Sequence, residues 1–318
     1  MKSLISFLKE NVTSISLMDF LFERRTINFG TANPNYNQCI ILAGGAASGK
    51  GFIQHKINLE GKVLDVDELK SQYKKLVSKG IIDDKEYDLA NPEDCNELHQ
   101  KIKGKGWESK MKHHLFDTGK HKIKQNGQEN RQPNVIFDMV SKKISDIEEV
   151  LGYVVPMGYT VTIVWVVTNT DTASMNNELR GIGDIKKRRS VPEKILRAGH
   201  QGAYDTMVSI LQNKYENLNQ FIDFFWIGFG TGFARKLSDK YESSPVEKIK
   251  KVDNKWQFDK SMVDDYLKEE QPLNKEFCKA CNEGDWAKAA KAGGQNNDDY
   301  LKKKWDIFTS KYPEAKDI

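Results

Sequence analysis

Apolar residues fall into five short runs that alternate with amphipathic segments along the first two thirds of the chain. Each run is followed by a segment with helical periodicity, and this alternation predicts a parallel sheet with helices packed on it. The predicted strands are 39–43, 62–67, 132–138, 159–167 and 221–227. The fourth, Tyr159–Val167, is β-branched almost throughout, so we expect it to be central and buried on both faces.

A glycine-rich turn follows the first strand. In residues 39–56, Gly44, four further residues, Gly49 and Lys50 have the spacing of a phosphate-binding P-loop. Glycines let successive backbone N–H groups surround a phosphate, and the positive end of the next helix adds to the attraction. We expect Lys50 to reach the β- and γ-phosphates. The predicted nucleotide-binding residues of the loop are Gly44, Gly45, Ala46, Ala47, Ser48, Gly49, Lys50, Gly51 and Phe52.

Three aspartates follow the next two strands and are candidates for the chemistry. Gly51 stands where a P-loop usually has a Ser or Thr for Mg²⁺, so the metal is expected to rely on a carboxylate elsewhere. Asp65 and Asp67, two apart on the second strand, are predicted to share one face. One of the pair can accept a proton from an attacking hydroxyl, while Asp65 and Asp138 are the candidate Mg²⁺ residues. Helix capping is the alternative role for Asp67 and Asp138.

A basic segment, 178–191, lies between the fourth strand and a helix predicted to start at Pro192. It contains Arg180, Arg188 and Arg189. Arginines on a mobile lid can neutralise a migrating phosphoryl group, because their planar donors bind two of its oxygens at once. The alternative is a nucleic-acid-binding or nuclear-localisation-like patch.

Residues 80–132 form a basic insertion with irregular spacing. Lys101–Lys124 contains eight lysines and three histidines, with Trp107 and Phe116 among them. Basic side chains interleaved with aromatic ones can bind a phosphodiester backbone and stack bases, which makes a nucleic acid or nucleotide a candidate partner. A solvated lysine-rich loop is the alternative.

These motifs together resemble the zeta-toxin group of P-loop kinases over residues 38–230. The residues that carry the resemblance are LAGGAASGK at 42–50, LDVDELK at 64–70, VIFD at 135–138 and GY at 158–159. The resemblance implies that Asp67 is the catalytic base and that Arg180 and Arg189 are the catalytic arginines, with Arg188 as a neighbouring candidate that contacts the nucleotide. Gly51, Asp138 and the reshaped stretch 68–137 depart from the family pattern, so the family's amino-sugar nucleotide acceptor does not carry over.

The expected fold class is α/β, a P-loop kinase-type three-layer sandwich with a mainly parallel five-stranded sheet. The predicted organisation is an N-terminal helical segment (1–37), a kinase domain (38–234), and a small hairpin with a helical appendage (235–318). No apolar run is long enough to cross a membrane, and a net charge of +4 does not by itself indicate nucleic acid. Four cysteines in 318 residues favour a reducing compartment. Cys278 and Cys281 are either buried small residues or a weak metal or redox motif.

The leading hypothesis is a kinase that transfers the γ-phosphate of ATP or GTP, with Mg²⁺, to a hydroxyl group. The basic insertion favours a nucleic-acid or nucleotide hydroxyl, for example a hydroxymethylated base in phage DNA. Alternatives are a nucleotide-sugar kinase, a nucleotide-binding structural protein without turnover, and a toxin held by a partner. Residues 1–10 resemble the head-targeting leader of T-even-like phage internal proteins or form an ordinary helix. A phage enzyme in the host cytoplasm is therefore expected, with packaging into the phage head as the alternative and its oligomeric state open.

Overall fold

The computed structural model describes residues 37–57, 62–108, 110, 112, 134–179, 190–230, 244–269, 275–285 and 298–317. Its strands are β1 (Gln38–Ala43), β2 (Lys62–Asp65), β3 (Val135–Met139), β4 (Thr160–Val167), β5 (Phe224–Phe229), β6 (Val246–Val252) and β7 (Lys255–Gln257). Its helices are α1 (Lys50–Lys56), α2 (Val66–Ser78), α3 (Pro92–Gly104), α4 (Ile144–Val154), α5 (Thr170–Leu179), α6 (Glu193–Leu211), α7 (Glu216–Asn219), α8 (Ser261–Lys268), α9 (Lys275–Asn282) and α10 (Asp298–Lys311). Among these helices, none combines the length and the apolar character needed to cross a bilayer.

The central sheet has seven strands in the order β2-β3-β1-β4-β5-β6-β7. The strands β1 to β5 run parallel, which confirms the predicted α/β class. The prediction of five strands was wrong, because the hairpin expected as a separate appendage joins the sheet: β6 pairs antiparallel with β5, and β7 pairs antiparallel with β6. Trp256 of β7 also packs on Phe225 of β5, with ring centroids 5.7 Å apart. The hairpin thus covers both the backbone edge and the apolar surface of β5.

Helices pack on both faces of the sheet. On one face, Ile41, Ile163 and Trp165 belong to the main core with side chains of α2, α4, α6 and α8. On the other face, Leu42 and Val164 pack with Ile53 of α1. Strand β4 is buried over seven of its eight residues and lies between β1 and β5, the central position that its composition predicts. Because β1 is paired on both sides, the loop that leaves its carboxyl end is held at the middle of the sheet.

The part of the basic insertion that the structure describes is packed rather than open. Trp107 is only 8% exposed, and its ring centroid lies 5.4 Å from that of Tyr73, so the predicted base-stacking role of Trp107 is wrong. Lys112 is buried, and its Nζ lies 3.1 Å from Glu108 Oε1 and 2.9 Å from Glu149 Oε1. Lysines 103, 105 and 110 are exposed, while residues 113–124, with Phe116, lie outside the described residues.

A second, smaller core joins the carboxyl-terminal helices to the end of α5. Its buried members are Leu179, Cys278, Ala280, Cys281, Trp305, Phe308 and Ala315. Burial raises the pKa of the Cys278 thiol to about 11. Cys278 thus has the character of a buried small residue, one of the two roles predicted for it. The described residues contain no group of three His, Cys, Asp or Glu side chains suited to a metal ion. Lys311 of α10 pairs with Glu178 and, at 3.6 Å, with Glu193, so this unit contacts both sides of the predicted lid.

Asp84 links the segment after α2 to α3, and its loss is expected to destabilise the fold. It accepts hydrogen bonds from Tyr73 Oη at 2.6 Å and from Lys101. Burial acts to raise the pKa of Asp84, but these bonds outweigh it and hold the pKa at about 2, below the ordinary 3.8. We expect Asp84→Asn to lower the free energy of unfolding by about 1.5–3 kcal/mol at pH 7, as for hydrogen bonds to charged groups.

A folded-state pKa below the unfolded value contributes stability above about pH 4 that is lost as the pH falls toward 2. Urea unfolding from pH 7 down to pH 3 should therefore show the difference between wild type and Asp84→Asn shrinking below about pH 4. The matched control is Asp83→Asn at the exposed neighbouring position. Equal stability of the two variants at pH 7 would contradict the assignment.

Candidate active site

The loop between β1 and α1 has the backbone form that the glycine spacing predicts. Gly49 is the N-cap of α1 and has φ +89°, a left-handed conformation that glycine adopts without strain. Ala47 also has a positive φ, +59°, which is uncommon for a residue with a side chain. The loop therefore depends on contacts outside itself to keep its shape.

Five successive carbonyl groups of this loop each accept a hydrogen bond from a side chain. Lys50 Nζ donates to the carbonyls of Gly44 and Gly45, at 2.7 and 3.1 Å. The remaining three bonds come from α6, α5 and the residue after β4: His200 Nε2 to Ala46 at 2.8 Å, Asn176 Nδ2 to Ala47 at 3.4 Å and Thr168 Oγ1 to Ser48 at 2.5 Å. Because each of these carbonyl groups is hydrogen-bonded to a side-chain donor, the orientation of the peptide groups in the loop is fixed.

Lys50 and Asp138 lie together at the mouth of the loop. Lys50 Nζ is 3.5 Å from Asp138 Oδ1, and both side chains are largely covered, at 14% and 26% exposed. Asp138 pairs in register with Leu42 of β1 and with Asp65 of β2. Asp138 does not cap α4, whose N-cap is Lys143. The lysine and the two carboxylate-bearing positions therefore meet at the carboxyl edge of the sheet, next to the P-loop.

Asp65 and Asp67 do not share a strand face, so that expectation was wrong. Strand β2 ends at Asp65, which is the N-cap of α2 and accepts a hydrogen bond from the Asp67 backbone N–H at 2.8 Å. Asp67 is the second residue of α2, and its side chain forms an ion pair with Lys70 at 2.6 Å. Capping, proposed as the alternative role for Asp67, belongs to Asp65. A 31% exposed carboxylate at the start of a helix remains accessible to an acceptor.

The residues present fit a magnesium ion. Mg²⁺ prefers oxygen ligands and is commonly bound by one or two carboxylates together with substrate phosphates. Asp138 and Asp65 occupy paired positions at the strand ends, beside the loop. Asp65 uses Oδ1 to cap α2, and Asp138 contacts Lys50 through Oδ1. Asp138 and Asp65 are therefore the residues that would hold the metal.

The three candidate arginines, Arg180, Arg188 and Arg189, lie outside the described residues. The positions on either side of them are tied together by Asn177. Its Nδ2 donates to the carbonyl of Val191 at 2.9 Å, and its Oδ1 accepts from the Val191 backbone N–H at 3.0 Å. Asn177 and Val191, which lie on either side of segment 180–189, are therefore in direct contact.

Two residues beside the predicted site were not found from the sequence. His200 is buried against the P-loop, and nothing in the pattern of α6 sets it apart from an ordinary core histidine. Lys70 is buried next to Asp67. The sequence does carry a signal for Lys70, because its spacing of three from Asp67 places both on one side of a helix.

Comparisons with known proteins give a fold and no family. No protein-family model matches the chain, and no curated protein matches it. The chain is similar in structure to AvrRxo1-ORF1:AvrRxo1-ORF2 with sulphate ions, with a TM-score of 0.51 at 10% identity over 93% of this chain and 87% of the other. The same complex with ATP gives a TM-score of 0.51 at 9% identity, over 90% of this chain and 83% of the other.

A weaker similarity is found to the PezAT chromosomal toxin–antitoxin system of Streptococcus pneumoniae. Its TM-score is 0.39 at 15% identity, covering 70% of this chain and 74% of the other. The similarity to the two AvrRxo1 structures shows a shared α/β fold. It agrees with the α/β fold class that the sequence predicts.

Gly45 is a sharp test of the loop geometry. A Cβ at this position would lie 2.1 Å from His200 Cδ2, so Gly45→Ala must displace either the loop or the imidazole. Overpacking of this kind costs about 1–3 kcal/mol. If the cost falls on the binding-competent loop, ATP affinity drops by about 5- to 150-fold.

Isothermal titration calorimetry with ATP measures this effect. The matched control is Gly152→Ala in α4, where an added Cβ meets nothing within 4 Å. Wild-type affinity in the control and a clear loss in Gly45→Ala are expected. Wild-type ATP affinity in Gly45→Ala would show that the packing of His200 on the loop is irrelevant to the nucleotide.

Proposed function

We propose that this protein is a kinase that transfers the γ-phosphate of ATP to a hydroxyl group of an acceptor. The observation that carries the proposal is the meeting of the P-loop, Lys50 and Asp138 at one edge of the sheet, with Asp67 at the start of the next helix. Phosphoryl transfer needs positioned charge around the phosphates and little covalent chemistry from the protein. This arrangement provides that charge.

Each residue has a proposed role. Residues 44–51, which include Lys50, bind the triphosphate. Phe52 follows them on α1. Asp67 accepts the proton of the attacking hydroxyl, while Asp138 and Asp65 hold Mg²⁺, which would neutralise charge on the phosphates. Arg180 and Arg189 stabilise the migrating phosphoryl group, with Arg188 nearby on the nucleotide. The zeta-toxin resemblance supports the roles of Asp67 and the arginines.

ATP is the proposed donor, since one of the structurally similar complexes was solved with ATP. The acceptor is proposed to be a nucleotide or nucleic-acid hydroxyl, with a hydroxymethylated base in DNA as the example. Lysines 103, 105 and 110 support this, because they are exposed near α3, whereas Trp107 lends no support. A phage origin and a leader at residues 1–10 stay predictions, because that segment lies outside the described residues.

Transfer of radiolabel from γ-labelled ATP tests the proposal directly. The acceptor panel comprises hydroxymethylated DNA, unmodified DNA, RNA, free nucleotides and a sugar nucleotide. Label on one acceptor supports the kinase and identifies its class. Nucleotide binding with transfer to no acceptor supports a binding protein instead.

Asp67→Asn should abolish most of the transfer. Loss of a positioned general base typically costs about 10²- to 10⁴-fold in rate. ATP binding should remain, because Lys50 and the loop are untouched. The control is Asp265→Asn on the exposed side of α8, which should transfer at the wild-type rate. If Asp67→Asn is as active as this control, Asp67 is not the base.

Lys50→Ala should weaken ATP binding. Hydrogen bonds to charged groups contribute about 1.5–3 kcal/mol, equivalent to about 10- to 150-fold in affinity. Calorimetry compares this variant with Lys302→Ala, which removes an exposed lysine of α10. Unchanged ATP affinity in Lys50→Ala would show that the nucleotide site is wrongly placed.

A further inference from the structure

Lys70 is buried although lysine is rarely found inside a protein. Its side chain is 8% exposed, and its Nζ lies 2.6 Å from Asp67 Oδ1. A charged ammonium group costs free energy to bury unless it is paired. The pairing with Asp67 therefore compensates for the burial of Lys70, and it also restricts where the Asp67 carboxylate can lie.

The contacts of Lys70 keep it charged. Burial acts to lower the pKa of Lys70, but the Asp67 carboxylate and the Cys95 thiol outweigh it, so the pKa lies above its ordinary value. Cys95 is on α3, with its Sγ 3.5 Å from Lys70 Nζ. His99, also on α3, is exposed to the charges of Lys70, Glu108, Asp67 and Lys103. Burial first, and then Lys70, lower the pKa of His99.

Asp67 is held at both its main chain and its side chain. Asp65 accepts from the Asp67 backbone N–H at 2.8 Å, and Ser71 Oγ donates to the Asp67 carbonyl at 3.1 Å. The ion pair with Lys70 then fixes the carboxylate. Because α3 contacts Lys70 through Cys95, the packing of the insertion against α2 is linked to the position of the Asp67 oxygens.

We propose that Lys70 is a positioning residue for Asp67, holding this carboxylate in one orientation for the acceptor hydroxyl. The inference rests on the proposed kinase function. During transfer, the acceptor proton passes to Asp67 and Lys70 keeps its own proton. The loose transition state of phosphoryl transfer depends more on placement and charge than on basicity. Lys70 thus acts by fixing the orientation of the Asp67 carboxylate.

A purely structural lysine is the alternative, and the chain offers a matched control. Lys251 of β6 is partly buried, and its Nζ donates to the carbonyls of Asn219 and Ile222, both at 2.7 Å. It thus serves the fold at the far edge of the sheet. Lys70→Met and Lys251→Met each remove one ammonium group and keep most of the side-chain volume.

The first measurement compares the kinetics of the two variants on the acceptor that wild type phosphorylates. Lys70→Met is expected to lower kcat by about 10- to 100-fold, a small part of what general-base catalysis supplies. The KM for ATP should stay within about threefold of wild type, since the P-loop is unchanged. Lys251→Met should keep the wild-type kcat. A wild-type kcat in Lys70→Met would overturn the proposal.

The second measurement is rescue by a variant that keeps the cation. Lys70→Arg retains a positive charge beside Asp67, so its kcat should lie closer to the wild-type value than that of Lys70→Met. An equal loss of kcat in Lys70→Arg and Lys70→Met would overturn the proposal.

The transfer assays separate this proposal from the kinase function. If wild type transfers label and Asp67→Asn does not, the kinase function stands whatever the result for Lys70. If wild type transfers no label, both the function and the role of Lys70 fail. Should Lys70→Met not fold, Lys70→Gln takes its place in both comparisons, with the same outcomes.

Discussion

The conformation of the P-loop depends on the side chains that hold its carbonyl groups. A loop with a left-handed alanine cannot keep its shape through its own torsion angles, so its peptide planes must be fixed from outside. His200, Asn176 and Thr168 do this from three separate parts of the chain. The parallel sheet brings those parts together, because β1 lies in its middle and β4 beside it. The conformation of the anion-binding loop therefore depends on the order of the strands in the sheet.

Much of this arrangement could be predicted from local sequence. The spacing of Gly44, Gly49 and Lys50 is a local property, and so is the run of β-branched residues in β4. The positions of Asp138 and Asp65 follow from a general rule, that the carboxyl ends of parallel strands meet at one edge. Asp67 was predicted to lie on the strand, whereas it lies on α2. The sequence of a short strand that ends in two aspartates does not show at which of them the strand stops. Asp65 caps α2 by accepting a hydrogen bond from the Asp67 backbone N–H, so the helix begins one residue before Asp67.

The features that could not be predicted all involve partners distant in sequence. The hairpin β6–β7 looks independent by its pattern, and only the unpaired edge of β5 explains why it joins the sheet. Trp107 looks like a stacking residue until Tyr73 is found beside it. His200 has no distinguishing neighbours along α6, and its role is visible only where its ring meets Gly45. Burial, which decides each of these cases, is a property of the whole fold.

The small core around Leu179 extends the influence of the carboxyl terminus to the middle of the chain. Leu179, the last residue of α5, is 1% exposed and packs in this core with residues of α9 and α10. The same helix, one turn earlier, places Asn176 on the P-loop. Helix α5 therefore packs against the carboxyl-terminal helices at its end and donates a hydrogen bond to the phosphate-binding turn from Asn176.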